Sequence, residues 1–180
     1  MNTDKVKRLK LPLSKEQIKE LKAGDIAYIS GEIHTARDCA HKRIFEMLDR
    51  GEELPFKIDG ATFYYAGPCP AKEGMACGSC GPTTSARMQS FAPRLIDMGL
   101  ASIIGKGEMN EETTAALKRN AACYFAAIGG AGAIYGSKIV SSELIAFPDL
   151  LSEAVYKFRV EDFPVVVAID SDGNSVYDRR

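Results

Sequence analysis

Four side chains carry the chemistry this sequence offers: a hydroxyl at Thr83 and cations at Arg37, Arg87 and Lys106. Gly81-Pro82-Thr83-Thr84-Ser85-Ala86-Arg87-Met88 closes a glycine-rich loop, Met75 to Gly81, and reads as the opening turn of a helix. Pro82 suits the first helical position, and the hydroxyls of Thr83, Thr84 and Ser85 crowd the end where unpaired N–H groups collect. Such a terminus attracts anions, because its amides and its dipole both favour negative charge. Arg87 lies four residues after Thr83, which places both on one helical face. A hydroxyl, a guanidinium and open amides together make a seat for a carboxylate. The same residues also fit a capped, buried helix with a surface arginine.

Arg37 opens another expected helix, and Lys106 follows a short strand within Ile104-Gly105-Lys106-Gly107. In open α/β sheets the ligand crevice forms beyond the carboxyl ends of the strands, where these cations would lie. Arginine grips a carboxylate through a planar fork and lysine adds a point charge, so the three suit a small dicarboxylate. Three solvated surface charges is the competing reading.

Cys69, Cys77 and Cys80 give a C-x7-C-x2-C spacing, with Cys123 as a remote fourth. That spacing fits zinc or iron–sulfur ligation, a redox pair, or thiols with no shared role. His34 and His41 are the histidines of the chain. His41 is expected at the boundary of its helix, as a hydrogen-bonded structural residue. Gly129 to Gly136 follows a strand and resembles a dinucleotide loop. It lacks the G-x-G-x-x-G spacing, and the acid in range, Asp149, sits in Phe147-Pro148-Asp149 and not at a strand end.

The elements that must position these groups alternate between helix and strand. Residues 1–13 read as an extended arm, either a tail or a contact for a partner, ahead of one domain over 14–180. Ser14 with Gln17 has capping-box spacing and opens a helix to Lys22. Ile26 to Ser30 reads as a strand, continued by Gly31 to Thr35 after a kink. Ala36 to Arg50 is a helix with Ala40, Ile44, Met47 and Leu48 as its buried stripe and Gly51 as its stop. A strand at Ala61 to Ala66 leads into the long loop Gly67 to Gly81, a length that points to function. The pattern then predicts a helix over Pro82 to Met98, kinked or ended by Pro93. A strand at Ala101 to Ile104, a helix at Asn110 to Asn120 and a strand at Ala122 to Ile128 follow. Lys138 to Ala146, Ala154 to Val160, Val165 to Asp170 and Ser175 to Tyr177 close the chain as strands. The order predicts one α/β domain.

The bulk numbers agree. With 180 residues, 46% hydrophobic and 26% charged, the chain fits a single globular core. A net charge of -1 gives no reason to expect nucleic acid or an anionic membrane as a partner. No run approaches the roughly 20 apolar residues of a membrane span. Met1 to Lys10 is polar and basic without an apolar stretch behind it, so a secretory signal is not expected. Five cysteines is an odd count for a disulfide framework, which points to the cytoplasm.

With these segments in hand, the chain resembles the β subunit, or C-terminal domain, of iron–sulfur-dependent hydro-lyases of the class I fumarate hydratase and L(+)-tartrate dehydratase type. The segments that carry the resemblance are Thr35-Ala36-Arg37-Asp38 with His41-Lys42-Arg43, Gly67-Pro68-Cys69-Pro70, Gly81 to Met88, and Ile104 to Gly107. Ala127-Ile128-Gly129-Gly130 and the tail from Lys157 to Gly173 extend it over nearly the whole chain from Leu11. Cys77 and Cys80 depart from it.

The resemblance implies a swivelling β/β/α domain that forms half of an enzyme for the reversible hydration of fumarate to (S)-malate. It implies a four-iron four-sulfur cluster carried by a partner α subunit, with none in this chain, and a heteromer such as α2β2. By motif match Thr83 falls at the family's base, and Arg37, Arg87 and Lys106 at its substrate-carboxylate ligands. The rival within the class is dehydration of tartrate to oxaloacetate. Outside it stand an NAD(P)-binding oxidoreductase built on Gly129 to Gly136 and a non-catalytic regulatory domain.

Overall fold

Residues 6–178 are described by the structure, a computed structural model. Its strands take their register from which side chains they can bury. β1 (Val6–Lys10), β2 (Ile26–Thr35), β3 (Thr62–Tyr64), β4 (Ser102–Gly105) and β5 (Cys123–Ala126) lie parallel in that order. α1 (Lys15–Lys19), α2 (Asp38–Asp49), α3 (Ala92–Asp97) and α4 (Glu111–Asn120) fall in the connections between them. β6 (Ile139–Ala146) and the long β7 (Val155–Ile169) complete the sheet in antiparallel pairing, and α5 (Gly132–Ser137) precedes them. β7 pairs with β2 along one edge and with β5 along the other, so β2, β3, β4, β5 and β7 form a closed ring.

Alternation along the inner strands divides the apolar residues between two cores. Tyr64, Ile104 and Phe125 join Ile29 and Ile33 of β2 and Phe158 and Phe163 of β7 in one. Their chain neighbours Phe63, Ile103 and Tyr124 pack instead with Ala40, Ile44, Leu95 and Leu117 of the helices. Strands covered on both faces read as unbroken apolar runs, which is why β3, β4 and β5 are buried almost throughout.

Several expectations hold in detail. Ser14 and Gln17 form the reciprocal capping box at α1. β2 runs through its kink as one strand, with a register shift between Ile29 and Gly31, where Gly31 has φ +133°. Ala40 and Ile44 are buried on α2, with Met47 and Leu48 partly so.

Other expectations are corrected. No helix starts at Pro82. Thr84 is extended (φ -65°, ψ 118°), the Thr83 N–H donates to the Tyr65 carbonyl at 2.7 Å, and the Ser85 N–H donates to the Lys106 carbonyl at 2.8 Å. These amides are satisfied by neighbouring strand ends, so the segment behaves as a short strand followed by a single turn, Ser85–Arg87. α3 begins only at Ala92, with Pro93 in its first turn, where a missing N–H costs nothing. Pro93 starts a helix where a kink was expected. The two strands expected at 154–160 and 165–170 are one, bent at Asp162 (φ 47°), whose N–H donates to Ser30 Oγ at 3.0 Å. Gly132–Ser137 is helical where Gly129 to Gly136 was expected as a loop, and Val176–Asp178 is a 3-10 turn where a strand was expected. In the arm, Val6–Lys10 is an edge strand and Leu11 and Leu13 are core residues. Residues 1–5 lie outside the described residues.

Candidate active site

The carboxyl ends of β2, β3, β4 and β5 all point the same way, and the four singled-out residues gather at that end of the sheet. Arg37 follows β2 and caps α2. Its carbonyl accepts from the His41 N–H and from His41 Nδ1, both at 2.8 Å, which fixes the backbone beneath the guanidinium. The guanidinium lies 3.4 Å from Glu153 and rests on the backbone of Gly67. A Cβ at Gly67 would stand 2.6 Å from the Ser152 carbonyl and 3.0 Å from the guanidinium, so only glycine leaves room there.

Lys106 is held through Ser85. The Lys106 N–H donates to Ser85 Oγ at 2.9 Å, and Oγ lies 3.0 Å from the Tyr124 hydroxyl, which also donates to the Gly107 carbonyl at 2.8 Å. Ser85 is fully buried, and Gly105 packs so closely on its hydroxyl that a Cβ would overlap it. The stem of Lys106 lies along Gly129. Thr83 is tied by its amide to Tyr65, the residue after β3, and the next residue, Thr84, bridges to Lys106. Arg87 is half exposed, and its Nε donates to Asp38 Oδ1 at 3.0 Å. Asp38 and Arg37 are adjacent, so one helix start holds one arginine and steers the other.

The electrostatics are arranged around those cations. Burial alone would raise the Glu153 carboxyl. The Cys39 amide at 2.9 Å, the Cys39 thiol and the charges of Arg37 and Arg87 outweigh it and hold the carboxyl below the usual range. Glu153 therefore stays charged opposite Arg37. Arg37 Nε and Asp38 Oδ2 are buried without a hydrogen-bond partner among the described residues. His41 is fully buried between Phe63, Tyr65 and Phe91, a correction to its expected boundary position, and burial pushes its pKa down to about 4. It is neutral, and the hydrogen bond from its ring supports Arg37.

Sequence reasoning singled out these four residues, which the fold brings to one end of the sheet, but it missed Ser85, Tyr124 and Glu153 as their supports. Ser85 was visible only as one more hydroxyl, and nothing in the sequence links Glu153 to Cys39 across 114 residues.

The remaining motifs separate. Cys69 is exposed, Cys77 and Cys80 are buried in the loop, and Cys123 is buried in β5. Among the described residues no three His, Cys, Asp or Glu side chains converge on a metal position. His34 stacks on Phe56 at 5.8 Å. Gly132 opens a helix of six residues, and Asp149 is engaged by Arg43 at 2.9 Å. Neither provides a dinucleotide site. Two clefts, of about 720 and 690 Å³, lie beside His34 and beside Tyr177, and neither is lined by Arg37, Arg87 or Lys106.

A sequence model described as Fumarase C-terminus matches residues 1–180. The chain belongs to this family. It is 41% identical over 172 residues to a Methanocaldococcus jannaschii protein provisionally named as an L(+)-tartrate dehydratase subunit beta, covering 92% of this chain and 88% of that one. It is 38% identical to fumarate hydratase 2 of Leishmania major, over 95% of this chain and 31% of that protein. Against the aerobic class I fumarate hydratase of Salmonella typhimurium the identity is 36%, over 94% and 30%. The chain therefore corresponds to nearly all of one relative and to about a third of the others. Of the cations at this end of the sheet, Arg87 is exposed, and Arg37 and Lys106 are partly exposed.

Proposed function

We propose that this chain is the β subunit of a two-subunit iron–sulfur hydro-lyase that interconverts fumarate and (S)-malate, built as a swivelling β/β/α domain. The observation that carries the reading is the gathering of Thr83, Arg37, Arg87 and Lys106 at one end of the parallel strands, on a face where Arg87 is exposed and the other three are partly exposed. Such a face is half of a site, and the other half belongs to a partner α subunit in a heteromer such as α2β2. In keeping with the family resemblance we assign the four-iron four-sulfur cluster to the α subunit, where it would supply Lewis-acid chemistry.

This chain's residues hold the dicarboxylate and move one proton. Arg37 and Arg87 offer planar forks to the carboxylates, and Lys106 adds a charge beside them. Removing a proton next to a carboxylate gathers negative charge on that carboxylate, which the preorganised cations stabilise. Thr83 Oγ takes that proton during dehydration and returns it during hydration. An unaided threonine is a weak base; the three nearby cations favour its alkoxide. Five free cysteines in the chain support a cytoplasmic setting.

Tartrate dehydration is the second reading, favoured by the 41% identity to a protein of matching length with that name. The test is anaerobic hydration of fumarate by this chain with and without an iron-loaded candidate α subunit. The expected result is malate only from the mixture, abolished by Thr83→Ala. Oxaloacetate from tartrate, with fumarate inert, would replace the first reading by the second. Full activity of the mixture with Thr83→Ala would remove the proposed base.

A further inference from the structure

Cys77 and Cys80 are both buried, at 3% and 0% exposure, three residues apart in the loop that leads to Thr83. Both thiols are free, and both belong to the same buried core as Tyr64, Tyr135 and Phe163. The segment is pinned from two sides. The Cys80 N–H donates to the Gly132 carbonyl at 3.0 Å, and its own carbonyl accepts from the Tyr64 hydroxyl at 2.6 Å. Cys69 bonds across the loop to two residues: its N–H donates to the Ser79 carbonyl at 2.9 Å, and its carbonyl accepts from the Gly78 N–H at 3.2 Å. Cys77 is also reachable. Together with the exposed Cys69 it lines an open groove of about 550 Å³ between Pro70, Leu151 and Tyr156.

We propose that Cys77 and Cys80 form a reversible dithiol–disulfide site, oxidised by a small-molecule disulfide that reaches Cys77 through this groove, and that closing it displaces the segment carrying Thr83. Cys77 loses its proton to solvent, and its thiolate attacks one sulfur of the oxidant, releasing one thiol and leaving a mixed disulfide. Cys80 then gives up its proton and attacks the Cys77 sulfur, expelling the second thiol. Two protein thiols are oxidised and one external disulfide is reduced to two thiols.

The geometry assigns the roles. Cys77 borders the groove and attacks first, while Cys80 lies behind it and resolves. The hydrogen bond from Cys80 lowers the Cys77 pKa, in keeping with that order. A sulfur–sulfur bond of about 2 Å is shorter than any contact between two free thiols, so closure must draw Cys77 and Cys80 together. Cys80 is followed by Gly81, Pro82 and Thr83, and Pro82 and Thr83 are docked on Ala66 and Tyr65. The loop has little slack between the thiols and that docking. Where Thr83 is the base, as proposed above, oxidation lowers turnover; the thiol chemistry itself does not depend on that reading.

The test treats the reduced full chain with oxidised glutathione, blocks the remaining thiols, and maps the pairing by mass spectrometry. A Cys77–Cys80 disulfide is expected, reversed by dithiothreitol. Cys80→Ser should trap a glutathione adduct on Cys77, whereas Cys77→Ser should leave Cys80 unmodified. An adduct on Cys69 alone, a Cys69–Cys77 bond, or Cys77 and Cys80 still reduced would overturn the site. Hydrogen exchange on the same samples reads the coupling: the Thr83 amide should lose protection on oxidation, and unchanged exchange there would overturn that part.

Discussion

At the scale of single residues, exposure separates binding from stability. The Arg87–Asp38 pair has an arginine side chain 51% exposed. Such a pair adds at most about 1 kcal/mol to folding. If Arg87 and Lys106 hold substrate carboxylates, Arg87→Ala and Lys106→Ala should instead each lose roughly 2–5 kcal/mol of transition-state binding. The expected pattern is a fall in kcat/KM of the assembled enzyme with an almost unchanged denaturation midpoint of the chain. Equal losses in both would mark these residues as structural. His41 predicts the reverse, an effect on stability. Its folded pKa of about 4 lies below the ordinary 6.5, so between these values the unfolded chain binds the extra proton. Its contribution is therefore complete above pH 6.5 and is lost as pH falls towards 4. The depression amounts to about 3 kcal/mol at most. Urea titrations over that window should show the loss, and His41→Asn should flatten the slope.

Among elements, the segment from Pro82 to Ser85 decides the site. It acts as a strand because β3 and β4 end beside it with free carbonyls at Tyr65 and Lys106. Ser85 is the joint. Ser85→Ala removes the acceptor of the buried Lys106 N–H and should cost about 1–3 kcal/mol. Gly105→Ala forces a methyl into the Ser85 hydroxyl and should cost a similar 1–3 kcal/mol through overpacking. Thermal unfolding measures both. An unaltered melting temperature for Ser85→Ala would show that water replaces the hydroxyl and that the joint is not needed.

For the whole molecule, the closed ring makes the arm part of the fold. β1 lines the edge of β2, and Leu11 and Leu13 are buried. Removing residues 1–13 deletes two core leucines, each worth about 2–5 kcal/mol, and should destabilise the chain with or without a partner. Removing residues 1–5 spares that core, so it is the cleaner test of the proposed partner contact. The expected outcome is an unchanged melting temperature and weaker co-elution with the α subunit. Full assembly after that trimming would place the contact elsewhere. Among the described residues no helix is long and apolar enough to cross a membrane.

Much of this was legible in the sequence, wherever the deciding forces are local. The stripe of α2, the capping box at Ser14, the buried runs of β4 and β5 and the turn at Gly51 depend on neighbours within a few residues. The motifs around Arg37, Thr83, Arg87 and Lys106 were equally visible, because the chemistry lies in the side chains themselves. Tertiary structure alone decided the rest. Pro82 opens no helix because its neighbours' amides find partners on strand ends distant in sequence; Ser85 and Lys106, 21 residues apart, meet only once β3 and β4 pair. Asp162 takes a left-handed conformation where β7 bends between its part paired with β6 and its part paired with β5. His41 is buried because the Phe63, Tyr65 and Phe91 rings close over it, and none of them shares its helix. The sequence by itself determined which side chains were available, a hydroxyl at Thr83 and cations at Arg37, Arg87 and Lys106. Only closure of the ring brought them to one edge, because that arrangement rests on pairings between strands far apart in the chain.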